Sequence, residues 1–340
     1  MKAALITKPG TLVVETVADP VPGPYDAVCE ILFGATCTGT DSHILDGTFP
    51  WISKFPTILG HESIGRVVAV GSKVRHYKAG DLVTRVGAPD DVKGGYSVTW
   101  GGFATLGLAR DHWAMRRDGL PESEWKGARW NQIIPTGIDP AEATMIITWR
   151  ETLSFLRRIG VRSGAKVLVM GTGGVGLAFV TMAKNLGAGV VAAVGSAARM
   201  EVSRSAGATH VADYRHPEWN KSFGDAAPAG FDIVIDAIGK PEPVLALAGL
   251  VAEGGTFAAY GMDNFNDYRL NPRWCRSIRI YNGGYDEEET HQSVIDWMRA
   301  GRLDARLWID PAKAYPLARI AEAYQSLARR EAVKHCNAMQ

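Results

Sequence analysis

The run Val167-Leu168-Val169-Met170-Gly171-Thr172-Gly173-Gly174-Val175-Gly176 constrains this chain more than any other. Four apolar residues predict a short strand that enters a G-x-G-x-x-G turn. Residues 177–186 then carry helical spacing without proline and stop at Gly187. Strand, glycine turn and helix start are the parts of a dinucleotide-binding unit. Gly171 lets the chain turn out of the strand, Gly173 leaves room for a pyrophosphate, and Gly176 lets helix and strand pack closely. With Thr172, Gly174 and Val175 they form a turn whose N–H groups meet phosphates at the helix start.

At 340 residues the chain has room for two domains with full cores. Its 37 basic residues balance 36 acidic ones, and no basic stripe points to a nucleic-acid or membrane partner. The start, Met1-Lys2-Ala3-Ala4-Leu5-Ile6, is apolar too briefly for a signal peptide or a membrane span. Cys29, Cys37, Cys275 and Cys336 are scattered, with no C-x-x-C pair. That pattern suits a reducing cytoplasm and argues against a disulfide framework or a four-cysteine zinc lobe.

Up to about residue 110 the sequence reads as short strands broken by turns, among them 27–33, 64–70 and 79–83. Such a run predicts a barrel-like β domain. Residues 87–102 read as a glycine-rich loop and 141–159 as helix. From 166 to about 281 strand and helix alternate, with strands expected at 167–170, 190–194, 231–237, 256–260 and 277–281. That alternation predicts a doubly wound parallel sheet. Helical periodicity returns at 290–300 and 317–329.

Gly60-His61-Glu62-Ser63-Ile64-Gly65 is followed by Val67-Val68-Ala69-Val70-Gly71 and Gly80-Asp81. Together with the glycine turn, these residues resemble the medium-chain, zinc-type alcohol dehydrogenases over nearly the whole chain. The resemblance implies an α/β protein, a doubly wound Rossmann sheet inserted in a GroES-like β-barrel catalytic domain. The expected boundaries are 1–147 with 285–340 for the catalytic domain and 148–284 for the Rossmann domain. It also implies an alcohol oxidised with help from a zinc ion, since a Lewis acid lowers the alcohol's pKa before hydride leaves.

The resemblance assigns His61 to the zinc and Glu62 to a position beside or on it. The family's C-G-[ST]-D pattern is here stretched to Cys37-Thr38-Gly39-Thr40-Asp41-Ser42-His43. Aligned on Gly39-Thr40-Asp41, Thr38 takes the ligand position, and Cys37 reaches the metal only with a one-residue backbone shift. In that register Thr40 passes the alcohol proton outward, Asp41 orients the zinc histidine, and His43 is the outer relay. Ile147 or Thr148 stands where the third ligand is usual, with Glu151 one helical turn on as a candidate substitute. The expected metal set is therefore Cys37, His61 and Glu62, completed by water or Glu151. No structural zinc is expected, because residues 85–115 hold no cysteine.

An NAD-type fold carries Asp or Glu at the end of its second strand. Here that strand ends Val194-Gly195-Ser196, with Arg199 beyond it and Tyr214 after the next strand. Gly-Ser with a nearby arginine resembles the NADP-dependent secondary alcohol dehydrogenases, so NADP(H) is the expected cofactor. Trp51, Trp100 and Trp149 fall near cleft positions of the family and equally suit a core. The expected activity interconverts a small-molecule secondary alcohol, with polyols and sugars among the candidates, and its ketone. A cytoplasmic homo-oligomer, dimer or tetramer, is expected. The alternatives are a zinc-independent reductase of an activated carbonyl or double bond, and a nucleotide-binding protein with little activity.

Overall fold

The computed structural model describes residues 1–340 except 53, 92–93, 265–266, 268 and 271–276, so Cys275 lies outside the described residues. The chain forms two compact units. One comprises Met1–Ile147, His291–Arg299 and Asp304–Gln340, the other Thr148–Thr290 and Ala300–Leu303.

The second unit is built on six parallel strands. Their order across the sheet is His210–Asp213, Val190–Gly195, Lys166–Met170, Phe231–Asp236, Val251–Ala259, Arg279–Tyr281. Numbered along the unit this is 3-2-1-4-5-6, the doubly wound order, with its switch point beside the first strand. Nucleotides bind at that point, and the glycine turn opens there. Continuous apolar runs form these strands because both faces are covered. Leu168, Met170, Val194, Phe223, Phe231, Val234 and Phe257 share one buried cluster.

Two strands differ from expectation. His210–Asp213, the strand expected before Tyr214, carries no bounds in the sequence, because it lies at the sheet edge with His210 exposed and shows no apolar run. The fifth strand starts at Val251 rather than 256 and runs through Gly254-Gly255, which the sequence presents as a turn. The register slips there, from Phe231 opposite Val251 to Ile233 opposite Thr256, and Gly254 lies in that irregular stretch at φ +71°.

The first unit carries a four-stranded and a seven-stranded sheet. In the larger sheet Asp26–Ala35 lies between Glu62–Val70 and Cys336–Ala338, antiparallel to both. Ala35 is opposite Glu62 on one side and Cys336 on the other. The expected 141–159 helix is two: Pro140–Ala143, capped by the Asp139 carboxylate, and Met145–Ile159. Helix Ile320–Ala328 buries Ile320, Ala323, Tyr324 and Leu327, one face at i, i+3, i+4, i+7 spacing. No described helix is long and apolar enough to cross a membrane.

Candidate active site

The sheet register itself assembles a site. Cys37 follows one strand, His61 and Glu62 open its neighbour, and Lys334 precedes the strand on the other side. The three meet at one end of the sheet. The turn that delivers His61 requires glycine: Gly60 has φ +94°, and a Cβ there would stand 2.5 Å from the Phe103 ring.

Cys37, His61 and Glu62 each offer one ligand atom, all within 4.8 Å of one another, and all three side chains are buried. The extra residue between Cys37 and Asp41 is taken up by a single helical turn. Asp41 N–H donates to the Cys37 carbonyl at 3.1 Å, and Cys37 N–H donates to Asp41 Oδ2 at 2.8 Å. That turn aims the Cys37 thiol inward and leaves Thr38 exposed, so Cys37 and not Thr38 joins the group.

Asp41 is fully buried. Its Oδ1 lies 3.2 Å from His61 Nδ1, and its Oδ2 accepts from the Tyr324 hydroxyl at 2.6 Å. With Nδ1 turned to Asp41, His61 presents Nε2 toward Glu62, 3.8 Å from Oε1. Burial pushes the His61 imidazolium down, but hydrogen bonds to Asp41 and Cys37 outweigh it and lift the pKa to about 10. A pocket this electron-rich holds a cation, proton or metal.

Lys334 Nζ donates to both Glu62 oxygens, at 2.6 and 2.5 Å, and to the Thr36 carbonyl at 3.1 Å. Burial works against its ammonium, yet Glu62, with Cys37 and Asp41, holds its pKa above that of an ordinary lysine. Burial and the Asp41 carboxylate push the Tyr324 phenol well above its ordinary value, so it stays a neutral donor. Sulfur, imidazole nitrogen and carboxylate oxygen are the donors zinc takes. The residues fit a catalytic zinc.

Thr40 and His43 share one turn of helix Thr40–Leu45. His43 Nδ1 shares a hydrogen bond with the Thr48 hydroxyl at 2.9 Å. A ladder of rings runs out from His61. Trp100 lies 5.0 Å from it, Phe49 6.3 Å from Trp100, and Trp51 5.1 Å from Phe49, centroid to centroid. Trp51 is 68% exposed. The Arg85 guanidinium sits over Trp100 and Trp130 at 5.5 and 5.8 Å.

In the nucleotide-binding unit Gly171 turns out of its strand at φ +107°, and a Cβ on Gly176 would lie 1.9 Å from the Gly171 carbonyl oxygen. Gly173 caps helix Gly174–Asn185 and faces open space. Ser196 precedes the 3₁₀ turn Ala197–Arg199, Arg199 is its last residue, and Tyr214 N–H donates to the Gly195 carbonyl. The second strand carries no acid, but Asp213, paired with Gly195 in the neighbouring strand, does stand nearby. Arg215 grips it with Nε and a terminal nitrogen at 2.7–3.1 Å and holds its pKa down at about 2. The Glu151 carboxylate accepts from Tyr260 and Tyr285, at 3.2 and 3.0 Å, within this unit. Ile147, Thr148 and Trp149 are fully buried, so Trp149 is core.

Lys334 and Tyr324 escaped the sequence reading. Tyr324 shares the buried face of its helix with Ile320 and Leu327, and a tyrosine so placed needs a partner for its hydroxyl. Lys334 belongs to no motif, and its side chain gives no sign of burial in the sequence.

Two families match this chain: Alcohol dehydrogenase GroES-like domain over residues 24–120, and Zinc-binding dehydrogenase over residues 174–300. The NADP-dependent isopropanol dehydrogenase of Thermoanaerobacter brockii is 33% identical over 251 residues, 70% of this chain and 69% of that one. The L-galactonate-5-dehydrogenase of Escherichia coli K12 is 27% identical over 336 residues, covering 96% and 94%. A protein described as a zinc-binding dehydrogenase of Sinorhizobium meliloti 1021, solved bound to NADP, superposes with a TM-score of 0.80 at 24% identity. That superposition covers 99% of this chain and 98% of the other. On these matches the chain is an oxidoreductase that belongs to the zinc-type alcohol dehydrogenases of the medium-chain dehydrogenase/reductase superfamily.

Proposed function

We propose that this protein is an NADP(H)-dependent dehydrogenase that interconverts a secondary alcohol, of the small aliphatic or polyol type, with its ketone. The observation that carries the proposal is the buried Cys37, His61 and Glu62 group, whose ligand atoms all lie within 4.8 Å of one another. Zinc bound there supplies a Lewis acid that makes the alcohol proton easier to lose. Cys37, His61 and Glu62 would hold it, and Asp41 keeps the His61 ring turned so that Nε2 faces the metal. Thr40 and His43 are the path by which the alcohol proton leaves. Trp100 and the buried Phe49 form an apolar wall beside His61, with the exposed Trp51 at its rim.

The glycine turn at 171–176 receives the pyrophosphate. Ser196, Arg199 and Tyr214 are read as the pocket for the 2′-phosphate. Arg215 neutralises Asp213, the acid that would otherwise repel that phosphate. The proposal includes a homo-oligomer. Strand Arg279–Tyr281 ends the parallel sheet, and Ile280 on it is 46% exposed, an apolar edge that a second copy can cover. It also includes a cytoplasmic setting, which suits the free buried Cys29, Cys37 and Cys336.

A matrix of NADP⁺ and NAD⁺ against 2-propanol, 2,3-butanediol and sorbitol tests the proposal. Turnover of at least one alcohol with NADP⁺ well ahead of NAD⁺ is expected. In the same assay Arg199→Ala weakens NADP⁺ binding about ten- to hundredfold, the value of a charged hydrogen bond, and leaves NAD⁺ binding nearly unchanged. Equal use of both cofactors by the parent protein contradicts the reading.

A further inference from the structure

We infer that Tyr324 is a positioning residue for the metal, acting through Asp41 to set Cys37 and His61 together. The inference rests on the zinc reading of the site.

Asp41 touches both the sulfur ligand's backbone and the histidine ligand's ring. Its Oδ2 accepts from Cys37 N–H at 2.8 Å and from the Tyr324 hydroxyl at 2.6 Å. Its Oδ1 faces His61 Nδ1 at 3.2 Å as an ion-pair contact, and neither of those two buried atoms makes a hydrogen bond. The direction of Oδ1 is therefore fixed from the Oδ2 side. A carboxylate held there by one donor alone can rotate about its Cβ–Cγ bond, and Oδ1 then swings away from the imidazole.

Two features of this chain make that second donor necessary. The segment from Cys37 to Asp41 is one residue longer than the family pattern, so Asp41 reaches the site on a turn closed by its own hydrogen bond to the Cys37 carbonyl. Any tilt of the Asp41 side chain is thus passed directly to the Cys37 backbone. Asp41 is also fully buried, out of reach of bulk solvent. Tyr324 comes from helix Ile320–Ala328, whose apolar face is packed in the core through Ile320, Ala323 and Leu327. It brings a hydroxyl fixed by a rigid ring, 283 residues away in sequence. The segment after that helix carries Lys334 to Glu62, so the C-terminal part of the chain holds the carboxylates on both sides of His61.

Tyr324→Phe removes one oxygen and keeps the packing. The zinc dissociation constant, measured on chelated and reloaded protein by competition with a chromogenic chelator, should rise roughly ten- to hundredfold, as for other partners that orient a ligand. Cobalt(II) in place of zinc should show a weakened thiolate-to-metal charge-transfer band. Denaturant unfolding of the metal-free variant should remain one cooperative transition, so that zinc affinity is read on folded protein. Zinc affinity within about twofold of the parent, with an unchanged cobalt spectrum, overturns the inference while the parent's own zinc binding leaves the site reading intact. A parent protein that binds no zinc in this assay overturns both.

Discussion

Cys37→Ser lowers kcat/KM for the ketone by about a thousandfold or more, the loss of some 4 kcal/mol of transition-state stabilisation. A serine hydroxyl is a poor zinc donor, and the group it would leave holds only His61 and Glu62, the latter already gripped by Lys334. Thr38→Ala is the paired control. The family pattern aligned on Gly39-Thr40-Asp41 makes Thr38 the ligand, whereas the structure leaves it exposed and turns Cys37 inward. Thr38→Ala should therefore stay within about threefold of the parent in steady-state kinetics, less than ~0.7 kcal/mol. Zinc content, measured beside the rates, should fall only in Cys37→Ser. The opposite pattern would restore the other register.

The next largest effect concerns the nucleotide turn, where two glycines of one motif should fail in different ways. At Gly176 a Cβ would lie 1.9 Å from the Gly171 carbonyl oxygen, a backbone atom that can give way only if strand and helix separate. Gly176→Ala should destabilise the protein by about 3 kcal/mol, the upper range for overpacking, and lose most NADP binding with it. At Gly173 a Cβ meets nothing within 4 Å. Gly173→Ala should fold with stability within about 0.5 kcal/mol of the parent, as a substitution into open space does. Its methyl occupies the room the pyrophosphate needs, so NADP binding should still drop by tenfold or more, about 1.4 kcal/mol. Thermal unfolding and fluorescence titration with NADPH separate the two. Equal behaviour of both variants would remove the close approach at Gly176 from the account.

The glycine turn was legible because its signal is local: strand, turn and helix follow one another without a break, and each glycine answers to its neighbours. The same holds for the apolar strands 167–170, 190–194 and 231–237, buried on both faces. The bounds of edge strand His210–Asp213 were not legible, since an edge needs little apolar surface and its pairing comes from Val190–Gly195. The metal group was half legible. The G-H-E run named His61 and Glu62, but the stretched Cys37–Asp41 segment left two registers open. Only the closing of that turn, with Asp41 held from the far end of the chain, decides between them. Lys334 and Tyr324 answer to carboxylates 272 and 283 residues away, a distance over which no spacing pattern operates.

The central claim is that this catalytic centre works through one zinc per chain. Protein stripped by prolonged chelation and titrated with zinc, with NADPH-linked ketone reduction followed at each step, tests it most directly. The rate is expected to start near zero, rise in proportion to zinc, and level off at about one ion per chain, as a single tight site requires. Full turnover by protein carrying well under one zinc per chain, unchanged on adding more, would contradict it and favour the zinc-independent reductase.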